Sequence, residues 1–388
     1  MIQKGVATFG LDYGTCPRWL FEKMTKLGRE MIEIIVQEYG PDEFIKRLGD
    51  PVWFQSLGTI LAFDWNASGL TTVLTASLKE SIRNREKDLG LFICGGKGKT
   101  SLKTPDQIQQ HSEQIGFSQE KSQSLIYNSK MAAKVDSSLV QDNFQLYHHA
   151  FFFSKNGAWT VVQQGMNKEK RTARRYHWHS EKVNDLVCEP HSGISSQIKV
   201  PTLDLTAKKS SKNREISTEM VQGNYKGLMK DVQILRKHSS QLSQMIKFRH
   251  QGQEATLLNL ENKEFKSHPV DNENFSKSKY LEKILYQICE NKPKNYEKLL
   301  SLKGVGPKTI RALSLVSEMI YGADASYEDP ARYSFAHGGK DGTPYFIDRP
   351  TYNKTIEFFG KVIRIIKTAP SEKKKMIERL VGQGQSLK

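Results

Sequence analysis

The stretch 144–163, FQLYHHAFFFSKNGAWTVVQ, decides the β component of this fold. Phe144 to Phe153 is aromatic and strand-like. Asn156-Gly157 is the dipeptide that tight two-strand turns favour, because their central residues take positive φ. Ala158 to Gln163 then pairs back as a second strand, and Arg174 to His179 adds a third. Alternate aromatics along such strands bury one face of an antiparallel sheet.

The flanks read as helical. Leu20, Met24, Leu27, Met31 and Ile34 recur at helical spacing until Gly40-Pro41 stops the run. Pro41 and Pro51 open two shorter helices, Thr71 to Arg85 makes another, and a short apolar strand, Leu91 to Cys94, runs into Gly95-Gly96-Lys97-Gly98-Lys99-Thr100. That loop lacks the spacing of a nucleotide-binding phosphate loop and does not open directly into a helix. Two helices follow, one after Pro105 and one from Ser118 to about Val135. Residues 197–213 turn polar and basic and read as a linker. A long helical stretch follows to His250, then a polar loop over 251–276. Thr351 to Lys367 forms a C-terminal helix, and Glu372 to Lys375 a solvated helical face.

The predicted fold is α+β, mostly α. It divides into a helical N-terminal region (1–138), a β-rich aromatic, basic and histidine-bearing insertion (139–197), a basic linker with a long helix (198–276), and a helical C-terminal region (277–388).

Composition points to a polyanionic partner. The 388 residues carry 58 Lys+Arg against 42 Asp+Glu, a formal net charge of +16, which attracts nucleic acid and releases its counterions on binding. Mean hydropathy is −0.56, and no window approaches the roughly 20 apolar residues that span a bilayer. The first residues show no charged-then-apolar signal pattern. Four cysteines stand singly, with no CxxC pair, which disfavours a zinc ribbon or disulfide framework and fits the cytoplasm.

The chemistry concentrates in Leu302-Lys303-Gly304-Val305-Gly306-Pro307-Lys308-Thr309. This reads as a helix, a glycine-pinched hairpin, and a second helix opening on Pro307, whose missing N–H suits the first helical position. Gly304 and Gly306 admit positive φ and leave room for a phosphate. The free amides and positive dipole end of the second helix then make an anion site beside Lys308. Such a hairpin touches phosphates rather than bases, so it predicts binding with little sequence preference.

LKGVGPKT resembles the helix-hairpin-helix element of DNA-repair proteins, in the form found in base-excision glycosylases. The resemblance implies DNA contact through Lys303, Gly304, Val305, Gly306 and Thr309. It implies Lys308 as the amine that attacks the sugar carbon, and an aspartate beyond the second helix, Asp324 or Asp329, as acid/base. Desolvation or nearby positive charge would lower the lysine pKa toward neutrality. The polar loop that follows offers Arg332, His337 and Lys340 as a ligand wall.

The middle region supports further readings. Tyr147, Phe151, Trp159, Tyr176 and Trp178, interleaved with basic side chains including Arg174 and Arg175, suit an unstacked base or single strand; the same pattern suits a sheet core with a basic rim. His148 and His149 must face opposite sides of their strand, whereas His177 and His179 share one. With Glu189 and His191 they offer a metal site for a nuclease, although carboxylates are scarce there.

A second resemblance covers nearly the full length. Pro17-Arg18-Trp19-Leu20-Phe21, Phe63-Asp64-Trp65, Cys94-Gly95-Gly96-Lys97-Gly98-Lys99, Glu189-Pro190-His191-Ser192 and Ala336-His337-Gly338-Gly339-Lys340-Asp341-Gly342 resemble a prokaryotic, largely archaeal family of unknown function. The leading expectation is a DNA glycosylase, with or without lyase activity, acting on damaged double-stranded DNA without a cofactor. A metal-dependent nuclease and a non-catalytic DNA-binding module are the alternatives.

Overall fold

Alternate side chains of the central strands part into two cores, and the helices follow that division. The computed structural model describes residues 10–11, 15–61, 67–239, 247–250, 253–256, 278–331 and 349–385. Its helices are α1 (Arg18–Tyr39), α2 (Pro41–Leu48), α3 (Pro51–Ile60), α4 (Ala67–Ser81), α5 (Glu86–Leu89), α6 (Thr104–Gln114) and α7 (Gln119–Ser138) before the sheet. After it come α8 (Ser211–Gln222), α9 (Tyr225–Ser239), α10 (Lys279–Asn291), α11 (Tyr296–Ser301), α12 (Pro307–Met319), α13 (Arg349–Ile365) and α14 (Pro370–Gln385). The strands are β1 (Leu91–Lys97), β2 (Val140–Gln141), β3 (Gln145–Ser154), β4 (Trp159–Asn167), β5 (Thr172–His179), β6 (His191–Ser196), β7 (Leu203–Asp204), β8 (Lys247–His250) and β9 (Gln253–Thr256). This is a mostly α, α+β protein with a small antiparallel sheet, as the sequence predicts.

The main sheet has the order β1-β3-β4-β5-β6, and every pair is antiparallel. Phe92, Cys94, Phe151, Phe153, Val161 and Trp178 point into a core shared with α6 to α12. Leu91, Ile93, Ala150, Phe152 and Val162 point the other way, into a core shared with α1 to α5, α13 and α14. Period-two alternation puts neighbouring residues on opposite faces. With helices on both faces, even consecutive phenylalanines such as Phe151, Phe152 and Phe153 are all buried, each contributing about 2–3 kcal/mol of apolar burial.

Three local expectations change. The strand at Leu91 is longer than its apolar run and joins the sheet edge against β3, pairing Leu91 with Ser154 through Lys97 with His148. The stretch 197–213 is packed rather than a solvated linker: Leu203 and Leu205 are buried, β7 pairs with β2, and the lysines at 208, 209 and 212 face outward. The long helix predicted to reach His250 is two helices, α8 ending at Gln222 with Gly223 as its cap and α9 starting at Tyr225, and Lys247–His250 is strand β8 rather than helix. The predicted loop over 251–276 lies outside the described residues except where Gln253–Thr256 pairs with Lys247–His250.

Candidate nucleic-acid interface

Helix α12 is buried on every side from Thr309 to Met319, yet its first turn reaches the surface. Pro307 and Lys308 are exposed, as is Lys303, while Gly304 and Gly306 are half-buried. The turn between α11 and α12 is therefore accessible at the end of a core helix. Gly304 has φ +87°, and a Cβ there would lie 2.4 Å from Ile284 Cδ1 of α10. The positive φ favours glycine at that position, and an added Cβ would also displace the tip of the Ile284 side chain. Gly306 differs from expectation: its φ of −151° is ordinary extended backbone, but a Cβ there would meet nothing within 4 Å. Its contribution is open approach rather than a left-handed turn. The N-cap residue Gly306 offers no side-chain cap to α12, so the positive dipole end of the helix lies at a first turn whose Pro307 and Lys308 are exposed.

Residues from outside the turn hold it in place. Lys134 of α7 donates to the carbonyls of Leu300 and Leu302 at 2.7 and 2.6 Å, a cation on the final carbonyls of α11 where the helix dipole favours it. Burial lowers the Lys134 pKa. Gln141 donates from Nε2 to the Pro307 carbonyl at 3.0 Å and accepts from Arg311 Nε at 2.5 Å. Neither residue has a local sequence signal that marks it as a partner of the turn, since each lies more than 160 positions away.

The other predicted residues are dispersed. Val305 and Thr309 are buried, so their side chains pack and only their main chain faces the turn. Asp324 is exposed beyond the far end of α12; the axis from Lys308 to Ile320 runs about 18 Å at about 1.5 Å per residue. Asp329 has its carboxylate engaged by Arg174 Nη2 at 2.6 Å, the Val200 amide at 2.7 Å and the Ala331 amide at 2.9 Å. Arg332, His337 and Lys340 lie outside the described residues, as do Phe63 to Trp65 and the segment 336–342.

Arg174 and Arg175, expected to touch phosphate, are fully buried on opposite faces of β5. Arg174 is clasped by Asp142 and Asp329 and lies 4.6 Å over the Phe144 ring. Burial opposes its charge, but the adjoining carboxylates, Asp142 foremost, hold its pKa above the usual arginine value. Arg175 donates to Gln55 Oε1, Thr71 Oγ1 and the Pro51 carbonyl, and burial lowers its pKa to about 9. The aromatics Phe151, Trp159, Tyr176 and Trp178 are buried core as well, which removes the stacking platform. The sequence pattern could not separate the two arrangements, because a helix layer on each face hides both.

The histidine metal site is not assembled either. His148 sits against Thr75 of α4, while His149, on the opposite face, lies between Ser129 and Gln163. His177 bonds the Leu48 carbonyl and His179 bonds Thr160. His191 pairs at 2.5 Å with Asp136, whose carboxylate also receives Trp178 and Gln163. Glu189 is exposed beside Lys208. Among the described residues no three His, Cys, Asp or Glu side chains are grouped to hold a metal ion.

Of the predicted site, the described residues keep an accessible turn of glycines and lysines at the uncapped start of α12, in an α+β protein. The chain belongs to the family described as "Protein of unknown function (DUF763)", whose model matches residues 5–347. No curated protein and no solved structure matches it. Among the described residues no helix is long and apolar enough to cross a membrane.

Proposed function

We propose that this protein binds DNA through residues 303–308, used as a helix-hairpin-helix that grips the phosphodiester backbone with little sequence preference. One observation carries the reading: the start of α12 is uncapped and surface-exposed, with Lys308 beside it and open space at Gly306. The positive dipole end at a helix start favours a phosphate, and the net charge of +16 favours the same polyanion. The base-excision reading rests on Lys308, which stands at the position of the attacking amine in the enzymes the motif resembles. Asp329 is engaged elsewhere, so backbone binding is the function the geometry supports best.

The test is fluorescence anisotropy with a labelled duplex across a salt series. Lys303→Gln and Lys308→Gln each lower the slope of log affinity against log salt by about one. Unchanged affinity and slope in both variants removes the turn from the interface. Borohydride added to a mixture with abasic duplex separates catalysis from binding: an adduct that Lys308→Gln abolishes makes the protein a base-excision enzyme, and salt-sensitive binding without an adduct makes it a binding module.

A further inference from the structure

Tyr280, in the first turn of α10, stands at the edge of the turn between α11 and α12. It is 63% exposed, and its hydroxyl lies 3.5 Å from where a Cβ at Gly304 would sit. Helix periodicity puts it there. Residues four apart on a helix share a face, and Ile284, four after Tyr280, is the buried side chain that packs against Gly304. Tyr280 continues that face toward the start of α10, with Lys279 before it and Lys283 one turn on, both exposed.

A single exposed aromatic is ordinary on a protein surface. This one is set apart by its position, because it borders the residues that grip a phosphodiester strand in the function proposed above. Phosphate contacts fix a strand in place and carry no sequence information. What a neighbouring ring adds depends on the state of the bases. Within an intact duplex each base is stacked between its neighbours, so the ring meets the sugar–phosphate edge alone. A nucleotide released from pairing, at a gap or in a single-stranded tail, offers a free π-face, and stacking on an aromatic side chain suits every base. A sequence-blind grip beside a sequence-blind stacking ring selects strand state rather than sequence.

We infer that the site prefers DNA in which an unpaired nucleotide adjoins a duplex, with Tyr280 stacked on the released base while residues 303–308 hold the neighbouring phosphates. The inference rests on the DNA-binding reading of that turn and names its substrate class.

Fluorescence anisotropy of the full chain tests it, with labelled probes of one sequence: a closed duplex, the same duplex with a single-nucleotide gap, and the duplex with a single-stranded tail. The gapped and tailed probes bind about 5- to 100-fold more tightly than the closed duplex, the worth of stacking one base. Tyr280→Ala removes that difference and leaves closed-duplex affinity unchanged, whereas Tyr280→Phe, which keeps the ring, retains it. Because the side chain is exposed, both variants keep the parent's thermal midpoint. Equal affinity of the parent for all probes, or a preference that survives Tyr280→Ala, overturns the inference. So does a loss in Tyr280→Phe equal to that in Tyr280→Ala, which would make the hydroxyl a phosphate contact. Where Lys303→Gln and Lys308→Gln still weaken every probe, those outcomes sink the stacking role alone; DNA binding that neither lysine variant weakens sinks the turn and the stacking role together.

Discussion

Arg174 and Asp329, 155 positions apart in sequence, form a buried ion pair with Nη2 and Oδ2 2.6 Å apart. The pair ties the segment after α12 to the middle of the sheet, and Asp142 closes the other side of the guanidinium at 2.9 Å. Removing one partner of a buried pair leaves an uncompensated charge, at a cost of about 3–5 kcal/mol. Asp142 still answers part of Arg174, so Asp329→Asn falls at the low end, about 3 kcal/mol. Urea unfolding measures it directly. Glu328→Gln, at an exposed position one residue earlier, stays within about 0.5 kcal/mol of the parent. Equal midpoints for the two variants would mean that the ion pair does not fasten the segment.

The two glycines of the turn separate folding from binding. Gly304→Ala meets both a positive φ and Ile284 Cδ1 at 2.4 Å, and costs about 1–3 kcal/mol of stability. Gly306→Ala meets no neighbour and an ordinary φ, so its unfolding midpoint stays close to the parent's. Its methyl group nevertheless stands where a phosphate would approach. The expected result is a folded Gly306→Ala protein with weakened duplex affinity in anisotropy; undiminished affinity would place the DNA elsewhere.

How much of this was legible in the sequence depends on the range of the interactions. Strand-turn-strand chemistry at Phe144 to Gln163 is local, and the hairpin forms, although its turn spans 155–158 and only Gly157, not Asn156, takes positive φ. The accessible glycine turn before Pro307 is also local, and so is the opposite facing of His148 and His149. Arg174 and Arg175 show where local reading fails. Arginine is rarely fully buried without partners, so two in a row read as a basic surface. Their partners, at 142 and 329 for one and at 51, 55 and 71 for the other, come together only through tertiary packing. The Asp136 cluster hides a histidine in the same way, because Trp178, His191 and Gln163 reach it from three strands.

Lys134 is the clearest support for the turn that motif reading misses. Its amine lies on the last carbonyls of α11 at 2.6 and 2.7 Å, and charged hydrogen bonds of this kind are worth about 1.5–3 kcal/mol. Lys134→Met keeps an apolar stem for packing and removes both bonds. Hydrogen exchange of the amides at 303–306 then accelerates and duplex affinity falls, while Lys303 and Lys308 are untouched. Exchange rates equal to the parent's would show that the turn is held without this lysine.

Acid should loosen the fold through the sheet histidines. Burial lowers the pKa of His148 to about 3, and lowers those of His149, His177 and His179 as well. The unfolded chain takes up these protons near pH 6.5, whereas folded His148 resists until about pH 3. The depressed pKa therefore gives full stability above about pH 6.5, lost progressively as pH falls toward 3, with a slope of about 1.4 kcal/mol per pH unit for each fully resisting histidine. His148→Gln removes one such group. Urea unfolding at pH 7, 6, 5 and 4 should show a steep fall in the parent and a slope shallower by about one proton in the variant. Parallel slopes would mean that His148 titrates alike in both states, and that its place between β3 and Thr75 admits the charged ring.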